Sequence, residues 1–560
     1  MTCEEQILSN DYFDFIINTE LVGDRIPEGA CLQRVNSEYS ILFYPNEGLP
    51  PINIADYIYS VIPKCFTLLD QTALEVSGIS RVQNQPTLSL TGQGVLVGIM
   101  DTGIAYENPI FRYSDGSTRV EAIWDQNISG NPPEGFLYGT EYTREDIDEA
   151  LMLDDPYERV PSRDEEGHGT FLAGVAAGDA DYANDFIGAA PGAAIAVVKL
   201  KPAKQYLRDF FFIPEDATVY QETDLMTAAA YLSGLADKLG MPLVLCVAVG
   251  TNMGSHSGTS PFSVFLSDLG RRAGKVIVTS AGNEANARHH YFGRIEEESR
   301  QDMAEINVEE NVRGFAAELW VSAPEMYTIA LTSPSGEQVP RMISQGRAHS
   351  EYQFIFERTV VSIDYRNIGR ESGNQLIYIR FDRPTRGIWT IQVYGINYLG
   401  GNYHIWLPMR EMLSGDVFFI RSSPDTTISV PANAQVPITV GGYNAKDGSL
   451  YIGSSRGYTV DGRVKPDFAA PGVNVYGPTL RGEYTYRTGT SAAAAVCAGA
   501  CALFLEWAAV IGDYGGVNTV DTKNFLIRGA RRELERAYPN REWGYGKLDL
   551  YNAFDILRER

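Results

Sequence analysis

TGTSAAAAVCAGACALFL, residues 488–505, decides how the rest of the chain is read. A glycine and a threonine lead into Ser491, and an unbroken run of small and apolar residues follows. Gly489 lets the backbone approach its surroundings closely, and alanine combines the highest helix propensity with little bulk. The stretch predicts a helix packed deep among its neighbours, with Ser491 in the first turn. Backbone N–H groups at a helix start lack intrahelical partners and can hold negative charge. That setting suits a nucleophile. It equally suits a serine that only caps a buried helix, so the choice rests on residues elsewhere.

The chain has 560 residues, too many for one ordinary core, and roughly two to four domains are expected. A 44% hydrophobic content with 21% charged residues marks a globular protein rather than a disordered one. The net charge of −25 argues against nucleic acid and against anionic membrane surfaces as partners. Six cysteines (Cys3, Cys31, Cys65, Cys246, Cys497 and Cys501) are scattered without a CxxC or a metal-like spacing. They predict a reducing compartment at synthesis and no disulfide framework. The first residues, MTCEEQILSNDYFDF, lack the basic start and apolar core of a signal peptide, so a cytoplasmic location at synthesis is expected. Residues 492–512 are long enough to span a bilayer, but their alanine content and Glu506 favour a buried core helix, so no membrane insertion is expected.

In chain order, residues 1–85 alternate short apolar runs (15–17 and 41–44) with a helical-looking piece at 55–62, as a small α/β unit would. Residues 95–100 form a continuous apolar run typical of a buried parallel strand, and it ends at Asp101-Thr102-Gly103. A long loop is expected from there through Pro161. Further strands are expected at 193–200, 243–249 and 275–279, with helices at 170–177, 225–239 and 262–273. This alternation predicts a parallel sheet with helices on both faces. Residues 291–421 instead carry short alternating runs punctuated by Pro and Gly, which predicts an inserted antiparallel β-sandwich. Its Trp320, Trp389, Tyr403 and Trp406 are expected to be core residues rather than a carbohydrate platform. The α/β pattern resumes over residues 422–560.

Asp101, His168 and Ser491 each follow an apolar strand or open a small-residue helix amid glycines. A serine hydroxyl becomes a competent nucleophile when a histidine takes its proton, and the histidine needs a carboxylate to fix its tautomer. Asn283, in SAGNEA, has the side-chain N–H to hold an oxyanion beside the backbone N–H of Ser491. Taken singly, each has a duller reading as a turn, cap or structural residue.

Taken together, VGIMDTGI, EGHGTFLAGVAAG, VTSAGNEAN, SSRGYTVDGRVKPDFAAPGV and TGTSAAAAVCAGACAL resemble the subtilisin-like serine proteases, in the Asp, His, Ser chain order of that family. The resemblance implies a triad of Asp101, His168 and Ser491, an oxyanion hole completed by Asn283, and a substrate-binding strand at Ala248-Val249-Gly250. The family's usual methionine and proline after the serine are Ala492 and Ala495 here, and its Ser-Leu-Gly strand reads Ala-Val-Gly. A narrower similarity, in the GTNMGSHSG loop, the alanines after GTS and the position of the insert, is to the Csp germination proteases of clostridial spores.

That resemblance implies an endopeptidase whose residues 1–85 are a prodomain, acting in cis as chaperone and inhibitor and removed by self-cleavage between about Leu69 and Pro86. The catalytic domain would then occupy 86–290 and 422–560, with the sandwich, jelly-roll-like, at 291–421. The implied substrate is a protein, with the zymogen of a cortex-lytic enzyme as the specific expectation and a spore-associated location. The rival reading is a non-catalytic sensor on the same fold with its prodomain permanently docked. No cofactor or metal is expected, since the acidic loops lack EF-hand spacing.

Overall fold

The structure is a computed structural model that describes residues 12–18, 26–27, 29–34, 39–46, 48–49, 72–296, 298–341, 347–366, 373–397, 399–512 and 514–558. The chain divides into two compact units, Met1–Asp70 and Gln71–Arg560.

The first unit contains a three-stranded antiparallel sheet in which Tyr39–Pro45 lies between Tyr12–Asn18 and Cys31–Arg34. Among the described residues Phe15 and Phe43 are its buried hydrophobic side chains. The helix expected at 55–62 lies outside the described residues. Cys31 is disulfide-bonded, against the expectation of no disulfide framework.

The second unit is built on an eight-stranded sheet. Its order is Phe468–Pro471, Ile438–Tyr443, Lys275–Ser280, Leu243–Val247, Leu96–Asp101, Ala194–Lys199, Val120–Asp125 and Thr140–Thr143. All neighbours are parallel except the last pair. Alternate residues of each strand enter different cores. Val97, Ile99, Val244, Cys246 and Val278 pack with the helices His168–Ala177 and Thr490–Leu505. Leu96, Met100, Leu243, Leu245 and Ile277 pack with Glu222–Leu239 and Pro261–Leu269 on the other face. Two-sided burial is why these strands read as continuous apolar runs rather than as alternations.

Two strands, Val120–Asp125 and Thr140–Thr143, and the helix Arg144–Ala150 lie in the stretch expected to be a long loop. VEAIWD mixes charge with apolar residues and has no periodicity of its own. It becomes a strand because Ala194–Lys199 offers it a parallel edge.

The helix Thr490–Leu505 is buried along its whole length except at Ser491. Its small residues are a steric requirement: a Cβ added at Gly499 would lie 2.2 Å from the Ala189 Cβ and 2.7 Å from the Ala176 carbonyl oxygen. With Glu506–Ile511 it is the one described helix long and apolar enough to cross a membrane, and 78% of that window is buried inside the protein. Glu506 accepts hydrogen bonds from the backbone N–H groups of Thr91 and Gly92, which explains a carboxylate at the end of an apolar helix.

The helices Thr72–Val76 and Ile79–Asn84 belong to this second unit. Leu74, Ile79 and Val82 are buried in the core that contains the Ser491 helix, and the backbone N–H of Leu550 donates to the Ser77 carbonyl. The inserted strands run from His290 to Phe419 and form two antiparallel sheets, of six and five strands, whose inner faces close one core.

Replacing Gly499 by valine is expected to destabilise the protein by about 1–3 kcal/mol through overpacking against backbone that cannot yield. Denaturant unfolding measures the loss, with Ala502→Gly as a control that creates no clash.

Candidate active site

Asp101 is the last residue of Leu96–Asp101, at the carboxyl edge of the sheet where open α/β folds place function. It is buried, and its Oδ1 accepts the backbone N–H of Thr102 at 2.8 Å. His168 opens the helix His168–Ala177, and its Nδ1 lies 2.8 and 2.9 Å from the two Asp101 carboxylate oxygens. The contact assigns the proton to Nδ1 and leaves Nε2 as the basic atom.

Local structure makes the meeting possible. Thr102 Oγ1 accepts the Gly169 N–H, and a Cβ at Gly169 would sit 2.2 Å from the Gly103 carbonyl oxygen, so only glycine fits there. Asp164 accepts the N–H groups of Glu166, Gly167 and Thr170 and the Thr170 hydroxyl, which ties down the start of the helix. Its role is not evident in DEEGHG, where it is one acid among several.

Burial is the largest influence on the His168 pKa and lowers it. The Asp101 charge and its hydrogen bond oppose burial, and the net shift is upward from the usual 6.5.

Ser491 is the second residue of its helix. The N-cap is Gly489, which has no side chain to cap the helix, and the Thr490 N–H is met by Asn283 from outside, so the Ser491 hydroxyl has no capping duty. Asn283 follows the strand Lys275–Ser280 and is exposed. Its Oδ1 accepts from the Thr490 N–H at 3.0 Å and the Thr490 hydroxyl at 3.2 Å. The Thr490 hydroxyl in turn accepts the Gly282 N–H at 3.1 Å. These bonds fix which end of the amide is the donor and leave Nδ2 free. A Cβ at Gly489 would stand 3.3 Å from Ser491 Oγ and 3.6 Å from Asn283 Nδ2, so this glycine keeps open the space that both groups face. Among the described residues no hydrogen bond joins Ser491 Oγ to His168. Such contacts tighten when substrate binds.

Ala248, Val249 and Gly250 continue past the end of Leu243–Val247. Among the described residues they make no backbone hydrogen bond until Thr251, which pairs with Val430 in both directions. Their free N–H and C=O groups form an open edge for an extended peptide.

Behind Asn283 lies a buried polar junction with the sandwich. Glu284 Oε2 meets His289 Nδ1 at 2.8 Å and Asn252 Nδ2 at 2.7 Å, and the Glu284 N–H donates to Ser455 Oγ. Asn252 also donates to the Leu407 carbonyl, and the Gly254 N–H donates to Glu318 of the sandwich. His256 stacks on Trp406 at 4.0 Å between ring centroids, and His290 Nε2 lies 2.9 Å from His404 Nδ1. The GTNMGSHSG loop is thus the link between the open edge at 248–250, the Asn283 loop and the inserted strands. Trp389 and Tyr403 are fully buried, Trp406 nearly so, and Trp320 donates to Glu318. Trp389, Tyr403 and Trp406 are core residues, as expected, whereas Trp320 is only partly buried.

The fold and these side chains define a class: an α/β protein with an acid–imidazole pair, a serine and an amide donor gathered at the carboxyl ends of parallel strands. The chain belongs to the subtilase family, Peptidase_S8, which matches residues 92–317 and 400–546, more than half of its length. It is similar to the CspB protease of Clostridium perfringens, with a TM-score of 0.78 and 29% identity over 88% of this chain and 100% of that one. It is 36% identical over 137 residues to the mouse membrane-bound transcription factor site-1 protease, covering 23% of this chain and 12% of that protein. Over 521 residues it is 21% identical to a C5a peptidase of Streptococcus pyogenes serotype M6, covering 86% of this chain and 40% of that protein. The chain thus spans only a small part of the first and less than half of the second.

Burial lowers the pKa of His256 to about 4 and that of His404 to about 3. It holds His290 well below the usual value, with the two neighbouring histidines adding to the effect. All three are therefore neutral when folded, whereas the unfolded chain protonates them below about pH 6.5. The unfolded state then binds more protons, so stability is expected to fall as pH drops from about 6.5 toward 4. Denaturant unfolding across that range should show the loss, with a shallower slope for His404→Gln.

Proposed function

We propose that the chain is a serine endopeptidase. Ser491 is the nucleophile, His168 the general base and acid, Asp101 its orienting carboxylate, and Asn283 with the Ser491 N–H the oxyanion hole. The observation that carries this reading is the Asp101–His168 contact, which commits Nδ1 and leaves Nε2 basic, in a site whose serine hydroxyl has no capping duty.

A peptide adds as an extended strand along Ala248-Val249-Gly250. His168 Nε2 takes the Ser491 proton as Oγ bonds to the carbonyl carbon. The oxygen, now negative, receives the Asn283 Nδ2 and Ser491 N–H donors. His168 then delivers the proton to the departing amine as the C–N bond breaks. Water, deprotonated by the same nitrogen, releases the acyl group and restores Ser491.

Residues of the first compact unit act as the prodomain, and the chain cuts itself within the window 69–86. The helices Thr72–Val76 and Ile79–Asn84 lie in the core of the second unit, which favours the N-terminal side of that window, near Asp70. Similarity to the C. perfringens CspB protease supports a role in activating a protein zymogen, with a cortex-lytic enzyme of germination as the specific substrate and the spore as the location.

A fluorophosphonate probe is expected to label the wild-type chain at Ser491 and not Ser491→Ala, and the variant should remain full length. Labelling of the variant, or its self-cleavage, would overturn the nucleophile. A wild-type protein that resists the probe and cuts no peptide would favour the sensor reading. Asn283→Ala should lower kcat by roughly 10²–10³-fold with little change in KM, the loss typical of one oxyanion donor.

His168 must be neutral to accept a proton, and its pKa is raised. The acid limb of kcat/KM is therefore expected above pH 6.5. A pH–rate profile on a peptide without ionisable side chains tests this.

A further inference from the structure

Arg487 ends the strand Tyr484–Arg487, four positions before Ser491. Its guanidinium lies 5.3 Å from the centroid of the Phe171 ring, on the His168 helix. A Cβ at Gly167 would stand 3.3 Å from its Nη2. The group therefore rests on the first turn of the helix that carries His168, partly buried, and its charge pulls the His168 pKa down against Asp101.

A cation is electrostatically disfavoured at a helix start and beside a base that must gain a proton. The Phe171 ring offsets part of this, and among the described residues no carboxylate adds to it. Asp164 is occupied by three backbone N–H groups and a hydroxyl, Glu165 pairs with Lys199, Glu166 accepts from Thr218, and Asp181 accepts from Tyr484 and Asn184. Among the described residues no carboxylate pairs with Arg487.

The position of this cation relative to the chemistry indicates what it meets. The acyl half of a peptide pairs with residues 248–250, whereas His168 hands its proton to the departing amine. A group resting beside His168 faces the leaving half. We propose that Arg487 is a specificity-determining residue that selects substrates with an aspartate or glutamate in the first two positions after the scissile bond. A guanidinium–carboxylate pair beside the reacting atoms is charge-assisted and offers two parallel bonds. The inference rests on the protease reading of the same site. The chain's own junction carries such a residue, Asp70, at the start of the self-cleavage window.

The test compares kcat/KM for matched peptides that differ only in Asp, Asn or Lys at those two positions, on wild type, Arg487→Gln and Arg487→Glu. Wild type is expected to prefer the Asp peptide over the Lys peptide by about tenfold or more. Arg487→Gln should erase the preference, and Arg487→Glu should invert it. An Asp/Lys ratio near one in wild type overturns the proposal. So does a ratio that the substitutions leave unchanged, including the case in which only the pH–rate profile moves and Arg487 merely tunes His168. Failure to cut any peptide overturns the protease reading and this inference with it.

Discussion

The depth to which the Ser491 helix is sunk into the fold is the constraint on which the rest depends. A helix of small side chains lets backbone approach backbone, and Gly499 against Ala189 and Ala176 marks how close that approach is. Close packing against the His168 helix and under the parallel strands fixes the first turn rigidly. A serine on that turn is the single residue of the helix left partly open. Precision at the mouth of the site is thus a consequence of burial behind it, because interiors packed to crystal density transmit position with little slack.

The same economy governs the polar groups. Thr490 orients Asn283, Thr102 orients the His168 turn, Asp164 anchors that turn, and Glu506 satisfies the backbone ahead of the first catalytic-edge strand. Where such a group is buried, losing its partner would leave it unsatisfied at a cost of about 1–3 kcal/mol. The junction of Glu284, His289 and Asn252 extends this network into the inserted sheets, so the Asn283 loop is held from both sides at once. The insertion is therefore mechanically continuous with the site and not simply appended to it.

Much of this was legible in the sequence. Two-sided burial makes the central strands apolar throughout, and short polar or glycine-rich signatures mark strand ends at Asp101 and Asn283 and helix starts at His168 and Ser491, so the four could be picked out. The change of texture at about residue 290 exposed the insertion. Val120–Asp125 was missed because a strand formed by pairing with a distant neighbour carries no local period. Asp164, Glu284 and Arg487 were missed because a lone charged residue in a polar stretch looks the same whether it is solvated or spoken for.

The sequence by itself determined the class of fold, the chain order of Asp101, His168 and Ser491, and the place where the β-sandwich enters, because these depend on periodicity and on short motifs. Only the tertiary structure decided what each polar group faces. It committed His168 Nδ1 to Asp101, buried the histidines of the junction and, among the described residues, left the Asn283 Nδ2, the edge at 248–250 and Arg487 without partners of their own kind. Those outcomes depend on contacts between residues tens to hundreds of positions apart, and such contacts leave no periodic trace along the chain.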